Sequence, residues 1–214
     1  MIIRKLGDNM LLNIANEIIT YLQTIPEVNG CTVYGSLSNG KFDKLSDIDI
    51  QVDVSGSDNS IFVTKLPELI QKQFPVVYFD YAPSLIPEQY IVSIAVDEEN
   101  PFCIVDLKCA ATPHIMTLQK NDFMLDKFVH TLKLWTANCK HLLRGKDCIK
   151  DNKVGDVNVN SVNIIKMGKR IIGTAAEAMT DNEIMEATLN WLENNCTNAT
   201  QRYVKSLRRV WVER

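Results

Sequence analysis

The chain has 214 residues, of which 46% are hydrophobic, and a formal net charge of −3 at pH 7. This length allows one large or two small domains, and the apolar content is ample for a hydrophobic core. No segment approaches the roughly 20 apolar residues of a membrane span, and the N-terminal stretch MIIRKLGDN lacks the apolar segment of a secretion signal. We therefore expect a globular protein that does not enter membranes, whose net acidity argues against a nucleic-acid surface that is basic throughout.

The cysteine content indicates reduced thiols rather than a zinc site. The cysteines show neither Cys-x-x-Cys pairs nor a spacing with histidine that is typical of zinc. Several lie within apolar runs, where buried free thiols are common. Because such thiols persist in reducing compartments, we expect a cytoplasmic protein. The six are Cys31, Cys103, Cys109, Cys139, Cys148 and Cys196.

The first half of the chain predicts a sheet with helices. An apolar stripe with helical spacing covers residues 9–24 and is closed by Pro26. Residues 61–74 have the pattern of a short helix, with Pro67 in its first turn. Runs typical of β-strands lie at residues 31–34, 47–54, 75–81, 89–96 and 102–109. We interpret residues 1–112 as a mixed sheet with helices on one side.

The second half predicts helices alone. Beyond Pro113 no convincing strand is indicated, and apolar stripes with helical spacing recur at residues 122–146, 162–179, 181–194 and 200–212. Asp181 is expected to cap the third of these helices, since an acidic side chain suits a helix N-terminus. The predicted fold class is therefore α+β, with a sheet-containing domain at residues 1–112 and an all-helical domain at residues 113–214.

A glycine-serine pair and two alternating carboxylates form the stretch most indicative of function. Gly35 and Ser36 end the first β-prone run, and a glycine there lets the backbone approach a phosphate closely. Asp47 and Asp49 alternate with apolar residues, so they point to the same side of a strand, roughly 6.6–6.8 Å apart. Paired carboxylates are most easily explained by a bound cation, and such hard ligands suit Mg²⁺ or Mn²⁺. The alternative is the solvated face of an antiparallel sheet.

The pattern of Gly-Ser at positions 35–36 followed by Ser-Asp-Ile-Asp at positions 46–49 resembles the signature of the polymerase-β-type nucleotidyltransferase superfamily. The resemblance implies a palm-like fold and the transfer of a nucleoside monophosphate from a nucleoside triphosphate to an acceptor hydroxyl. It also implies that Gly35 and Ser36 bind the nucleotide, and that Asp47 and Asp49 share a divalent metal with a third carboxylate on a neighbouring strand.

Asp106 is the candidate for that third carboxylate. It is the one acidic residue in the β-prone run at residues 102–109, and burying an isolated aspartate is costly unless it is hydrogen-bonded, paired or metal-bound. In the superfamily, such a residue completes the metal site and takes the proton from the attacking hydroxyl. An ion pair of Asp106 with Lys108 or Lys133 is the alternative explanation.

The second glycine at Gly40 and the serine before the first aspartate resemble the terminal uridylyltransferases and the cytoplasmic poly(A) polymerases. Those enzymes carry a Lys-x-Trp element on a later helix, which corresponds here to Lys133 and Trp135. The resemblance implies that Lys133 contacts the triphosphate, and a lysine facing phosphate is physically sensible. The alternative is a lysine whose stem packs beside a core tryptophan.

The chain departs from this branch at several positions. The second family lysine falls on Ala137, although Lys140 or Arg144 could replace it from the same helix. A later Gly-x-x-Ser-Ser-Tyr element is matched at best by Ser161, which would also bind the nucleotide, while the base-stacking tyrosine is replaced by Val162. The later elements that select the base have no recognisable counterpart.

Three hypotheses about function follow, two of which name an acceptor. An RNA 3′ hydroxyl, with ATP or UTP as donor, is favoured by the motif spacing and by a basic C-terminal helix. A small-molecule hydroxyl, as in antibiotic adenylyltransferases with a helical C-terminal half, is favoured by small size and net acidity. A non-catalytic subunit is disfavoured because all three carboxylates are present.

Overall fold

The computed structural model describes residues 2–83, 89–118, 126–144 and 158–214, with side chains at residues 10–81, 89–118, 126–144 and 165–214. The chain divides into two compact units. Met1–Asp97 and Phe102–Leu125 form the first unit, and Glu98–Pro101 and Asp126–Arg214 form the second. The domain boundary expected from the sequence, between residues 112 and 113, stays a prediction.

The first unit is built on a five-stranded mixed sheet. Its elements are α1 (Ile2–Leu22), β1 (Gly30–Val33), α2 (Gly35–Ser38), β2 (Ile48–Asp53), α3 (Asn59–Gln71), β3 (Tyr78–Pro83), β4 (Gln89–Ala95) and β5 (Ile104–Ala110). The strand order is β1-β2-β5-β4-β3. β2 and β5 pair in parallel, whereas the other neighbours are antiparallel. The mixed sheet expected from the sequence is confirmed.

One face of this sheet is covered by helices α1 and α3. The core-facing residues of β2 are Ile48, Ile50 and Val52, each with no exposed surface. They share a buried cluster with Ile18 of α1 and Leu66 of α3. Because successive strand residues point to opposite faces, burial of these three fixes the alternate residues of β2 on the other face.

The regular elements of the second unit are all helices in the part that the structure describes. They are α4 (Lys127–Leu143), α5 (Asn158–Ile172), a 3₁₀ segment (Gly173–Ala178), α6 (Asp181–Asn195) and α7 (Gln201–Val212). Trp135 of α4 is fully buried, donates its indole N–H to the carbonyl of Met185 at 2.9 Å and packs edge-on against Trp211, with ring centroids 5.3 Å apart. No described helix has both the length and the hydropathy that spanning a lipid bilayer requires.

Two local expectations were wrong. Asp58, whose side chain accepts from the N–H of Ile61, caps α3 at Asn59, so the helix starts earlier and Pro67 lies in its interior rather than its first turn. α6 is capped by Thr180 instead of Asp181, because Thr180 and Glu183 exchange hydrogen bonds in a capping box. The expected helix at residues 122–146 is described only between Lys127 and Leu143, and its outer residues lie outside the described chain apart from Asp126 and Arg144, which flank the helix.

Candidate active site

Two carboxylates from different parts of the chain are neighbours on the sheet face opposite the helices. Asp49 of β2 lies in register with Asp106 of β5 in the parallel pair. Neighbouring strands are about 4.8 Å apart, and residues in register point to the same face. Both side chains are half-buried. This register brings the second and third predicted carboxylates together.

Asp47 directly precedes β2 and continues its alternation, which directs it to the face of Asp49. The loop before it is tied down by Ser46, which is 2% exposed. The Ser46 hydroxyl accepts from the N–H of Asp43 at 3.0 Å and donates to the Asp43 carboxylate at 3.0 Å. The N–H of Leu45 donates to the same carboxylate at 2.9 Å. These bonds fix the backbone that leads into Asp47.

Gly35 lies directly against the carboxylate of Asp49. A Cβ atom on Gly35 would be 2.1 Å from Oδ2 of Asp49, and Gly35 has a φ of +68°, which other residues rarely adopt. A glycine is therefore required at position 35 for two separate reasons: there is no space for a Cβ, and the backbone has a positive φ. The predicted turn is the start of the one-turn helix α2, and the structure places it on the same face of the sheet as the aspartates.

Ser93 and Asp80 extend the polar row across the sheet, and neither was predicted from the sequence as a site residue. Ser93 of β4 is 5% exposed, lies in register with Asp106 and donates its hydroxyl to Oδ1 of that residue at 2.6 Å. Asp80 of β3 lies in register with Ser93 and is 3% exposed. Both are isolated polar residues within strand patterns, and that is the signal by which they could have been found.

Tyr34 is a neighbour of the site whose phenol pKa is affected by all three predicted carboxylates. Its N–H donates to the carbonyl of Asp49 at 3.0 Å, which carries the β1–β2 pairing up to Gly35. Burial raises the pKa of the Tyr34 phenol, and the charges of Asp49, Asp106 and Asp47 raise it further, in decreasing order. The phenol therefore stays protonated and able to donate beside these acids.

Residues 16–96 match the sequence model of the polymerase beta nucleotidyltransferase family. This segment is a polymerase-β-type nucleotidyltransferase domain. The match includes the Gly-Ser turn and the two aspartates at the start of β2, whereas Asp106 lies beyond the matched segment. A comparison with curated proteins found no match.

Three solved structures are similar to the chain over most of its length. One is a complex of GLD-2 with RNP-8, at 12% identity and a TM-score of 0.43, in which 87% of this chain and 74% of the other are covered. A non-canonical poly(A) polymerase complex of GLD-2 with GLD-3 has 17% identity, a TM-score of 0.38 and coverages of 90% and 55%. The polymerase core of TRAMP, an RNA surveillance complex, has 12% identity, a TM-score of 0.35 and coverages of 94% and 56%. The chain thus spans little more than half the length of the last two.

The remaining predicted binding residues lie outside the nucleotidyltransferase segment, in the second compact unit. Lys133 is half-buried on α4, two residues before the buried Trp135. Lys140, one of the two suggested substitutes for the missing lysine, is 8% exposed, and Arg144 caps the C-terminus of α4. The backbone of Ser161 belongs to α5, and its side chain lies outside the described part. The roles of these residues stay predictions.

The donor chemistry of the sheet face that carries the three aspartates suits a hard divalent ion. Within the described residues, no three His, Cys, Asp or Glu side chains form a ready-made metal cluster. The candidate ligands Asp47, Asp49 and Asp106 are all carboxylates, and Mg²⁺ and Mn²⁺ prefer such oxygen ligands. Gly35 keeps open the space beside Oδ2 of Asp49 that a Cβ would fill. The donor set therefore fits an ion that completes its coordination with substrate phosphates, as Mg²⁺ commonly does.

Proposed function

We propose that the chain transfers a nucleoside monophosphate from ATP or UTP to the 3′ hydroxyl of an RNA, in the manner of poly(A) polymerases and terminal uridylyltransferases. The observation that carries the proposal is the register of Asp49 with Asp106, next to a glycine that lies against the Asp49 carboxylate. Acids from two strands beside a small-residue turn form the arrangement that nucleotidyl transfer requires. We expect this activity in the cytoplasm.

Asp47, Asp49 and Asp106 are the residues that would hold Mg²⁺ or Mn²⁺. When bound, the ion supplies positive charge that neutralises the phosphate oxygens during transfer. The N–H groups of the turn and the Ser36 hydroxyl donate to the triphosphate, and Lys133 and Ser161 are further proposed contacts to the nucleotide. These groups orient the α-phosphate toward the acceptor.

Asp106 is the proposed general base. Its Oδ1 is held by the Ser93 hydroxyl, which fixes the orientation of the carboxylate. In the transfer, the acceptor oxygen forms a bond to the α-phosphorus while the bond from that phosphorus to the β-phosphate oxygen breaks. The hydroxyl proton passes to Asp106, and pyrophosphate leaves. Positioning and charge neutralisation account for most of the catalysis.

A small-molecule hydroxyl is the second candidate acceptor. The net charge of −3 favours it, because a neutral or cationic acceptor meets no repulsion from an acidic protein. The two hypotheses share the donor side of the reaction and differ only in what approaches Asp106.

A single assay separates these functions. The protein is incubated with each of the four labelled nucleoside triphosphates, Mg²⁺ or Mn²⁺, and a 15-nucleotide RNA, with the double variant Asp49→Asn, Asp106→Asn as the control. We expect a ladder of extended RNA with ATP or UTP that disappears in the control. Unchanged RNA together with a modified aminoglycoside or lincosamide would favour the small-molecule acceptor. No transfer to any acceptor with either metal contradicts the proposed function and favours a non-catalytic subunit.

A further inference from the structure

Lys108 brings a positive charge to the face that carries the carboxylates. It lies on β5 two residues after Asp106, so both side chains leave the sheet on the same face. Its register partner on β2 is Gln51, which belongs to the same face as Asp49. From the sequence alone, Lys108 is a candidate only for an ion pair with Asp106.

The ammonium group of Lys108 is held beside the Gly-Ser turn. Its Nζ lies 5.6 Å from the ring centroid of Tyr34, which is within the range of a cation–π interaction. Tyr34 directly precedes Gly35, and its phenol experiences the charges of all three predicted carboxylates. The lysine therefore reaches from β5 across β2 toward the turn.

Lys108 forms no ion pair with any residue in the described part of the chain, and its contact with Tyr34 is the interaction that the structure shows for it. An ammonium that is already paired with a carboxylate has little attraction left for a substrate anion. Lys108 shares its sheet face with Asp49 and Asp106, and in the described part of the chain it forms an ion pair with neither. Its half-buried position also reduces the screening of its charge by water.

We propose that Lys108 binds a phosphate oxygen of the substrates, an inference that rests on the proposed nucleotidyl transfer. The phosphate belongs either to the triphosphate of the nucleotide or to the phosphodiester next to the RNA 3′ end. On this face the carboxylates alone would repel both the triphosphate and the phosphodiester. Lys108 provides a positive charge there in addition to that of the proposed divalent ion. The Tyr34 ring positions the ammonium before the substrate arrives.

The test measures binding without requiring catalysis. Wild type, Lys108→Ala and Lys108→Arg are titrated with an α,β-methylene analogue of ATP or UTP and, separately, with a 15-nucleotide RNA. Lys65→Ala is the matched control, because Lys65 is an exposed lysine on α3, the helix that covers the opposite face. The RNA titrations are repeated over a series of salt concentrations.

Lys108→Ala is expected to weaken the binding of one of the two substrates about tenfold or more, because it removes a charged hydrogen-bond donor to a phosphate oxygen. Lys108→Arg should restore most of that loss, and Lys65→Ala should stay within about twofold of wild type. A loss confined to the nucleotide assigns the triphosphate. A loss confined to RNA, with the slope of log K against log salt reduced by about 0.7, assigns the phosphodiester.

Affinities within twofold of wild type for both substrates in Lys108→Ala overturn the inference, and so does a wild type that binds neither substrate. A different result would contradict the proposed function. If binding depends on Lys108 but no nucleotide is transferred to any acceptor, the assignment of Lys108 stands and the transfer reaction is wrong.

Discussion

Replacing Gly35 by alanine tests the contact between the turn and the Asp49 carboxylate. The added Cβ would be 2.1 Å from Oδ2, 3.0 Å from Cγ and 3.3 Å from Cβ of Asp49. Rotation of the side chain can move Oδ2 but leaves the Asp49 Cβ in place, because that atom is attached to the strand. Relief of the clash therefore requires either that the turn and the carboxylate separate by roughly 1 Å, or that the Asp49 carboxylate rotates out of its position and the turn shifts by a few tenths of an ångström. Both routes displace the carboxylate.

The expected cost to catalysis exceeds the cost to folding. A displacement of about 1 Å in a catalytic group lowers rates on the order of 10²-fold. The φ of +68° adds backbone strain of ~1–2 kcal/mol for alanine. Gly35→Ala should thus lose about 100-fold or more of its RNA-extension rate at saturating nucleotide, while urea unfolding shows a destabilisation of ~1–2 kcal/mol.

Gly56→Ala is the matched control for this variant. Gly56 has a φ of +85°, and a Cβ at that position would meet no atom within 4 Å. The control should show a similar loss of stability and an unchanged extension rate. Wild-type activity in Gly35→Ala would refute this role of Gly35, and so would a loss of activity in both variants that is proportional to their loss of stability.

Three further predictions concern Ser93 and Asp58 in the first unit and Lys133 in the second. Ser93→Ala removes the hydroxyl that holds Asp106 and should lower the extension rate about tenfold or more with little change in nucleotide affinity; an unchanged rate would give Ser93 a packing role only. Asp58 is an acid whose partial burial raises its pKa, but hydrogen bonds from Ser60, Thr117 and Ile61 outweigh this and lower the pKa to about 2. Since that value is below the 3.8 of a free aspartate, the stabilisation is present above about pH 4 and is lost as the pH falls toward 2. The stability gap between wild type and Asp58→Asn in urea unfolding should therefore shrink between pH 7 and pH 3, and a gap that does not depend on pH contradicts this assignment. Lys133→Ala should weaken nucleotide binding in a titration, and unchanged affinity would support the packing explanation instead.

The sequence predicts the elements of the site well where the signal is local. Alternation of acidic and apolar residues around Asp49 identifies β2 and its two faces, because the buried side of a strand demands apolar residues at every second position. The helices of the second half are likewise visible from their apolar stripes. Their caps are less certain, and Thr180 replaces Asp181 because a capping box depends on the orientation of two side chains.

What the sequence does not contain is the pairing of distant strands. β2 and β5 are parallel neighbours although β3 and β4 lie between them in the chain, so the register of Asp49 with Asp106 is a product of the whole sheet. The contribution of Ser93 follows from the same register. Lys108 has no motif that distinguishes it, and its contact with the Tyr34 ring is visible only in three dimensions.

The central claim is that three carboxylates from two segments share a divalent ion with the nucleotide. Electron paramagnetic resonance measures it directly, by titrating Mn²⁺ into the protein with an α,β-methylene nucleotide present. Asp53→Asn is the control, since Asp53 is an exposed aspartate at the other end of β2 whose carboxylate accepts from the N–H of Ser55.

We expect wild type and Asp53→Asn to bind Mn²⁺ with equal affinity. Asp47→Asn, Asp49→Asn and Asp106→Asn should each bind it at least about tenfold more weakly while remaining folded by circular dichroism. Equal Mn²⁺ affinity in wild type and all three site variants would contradict the account.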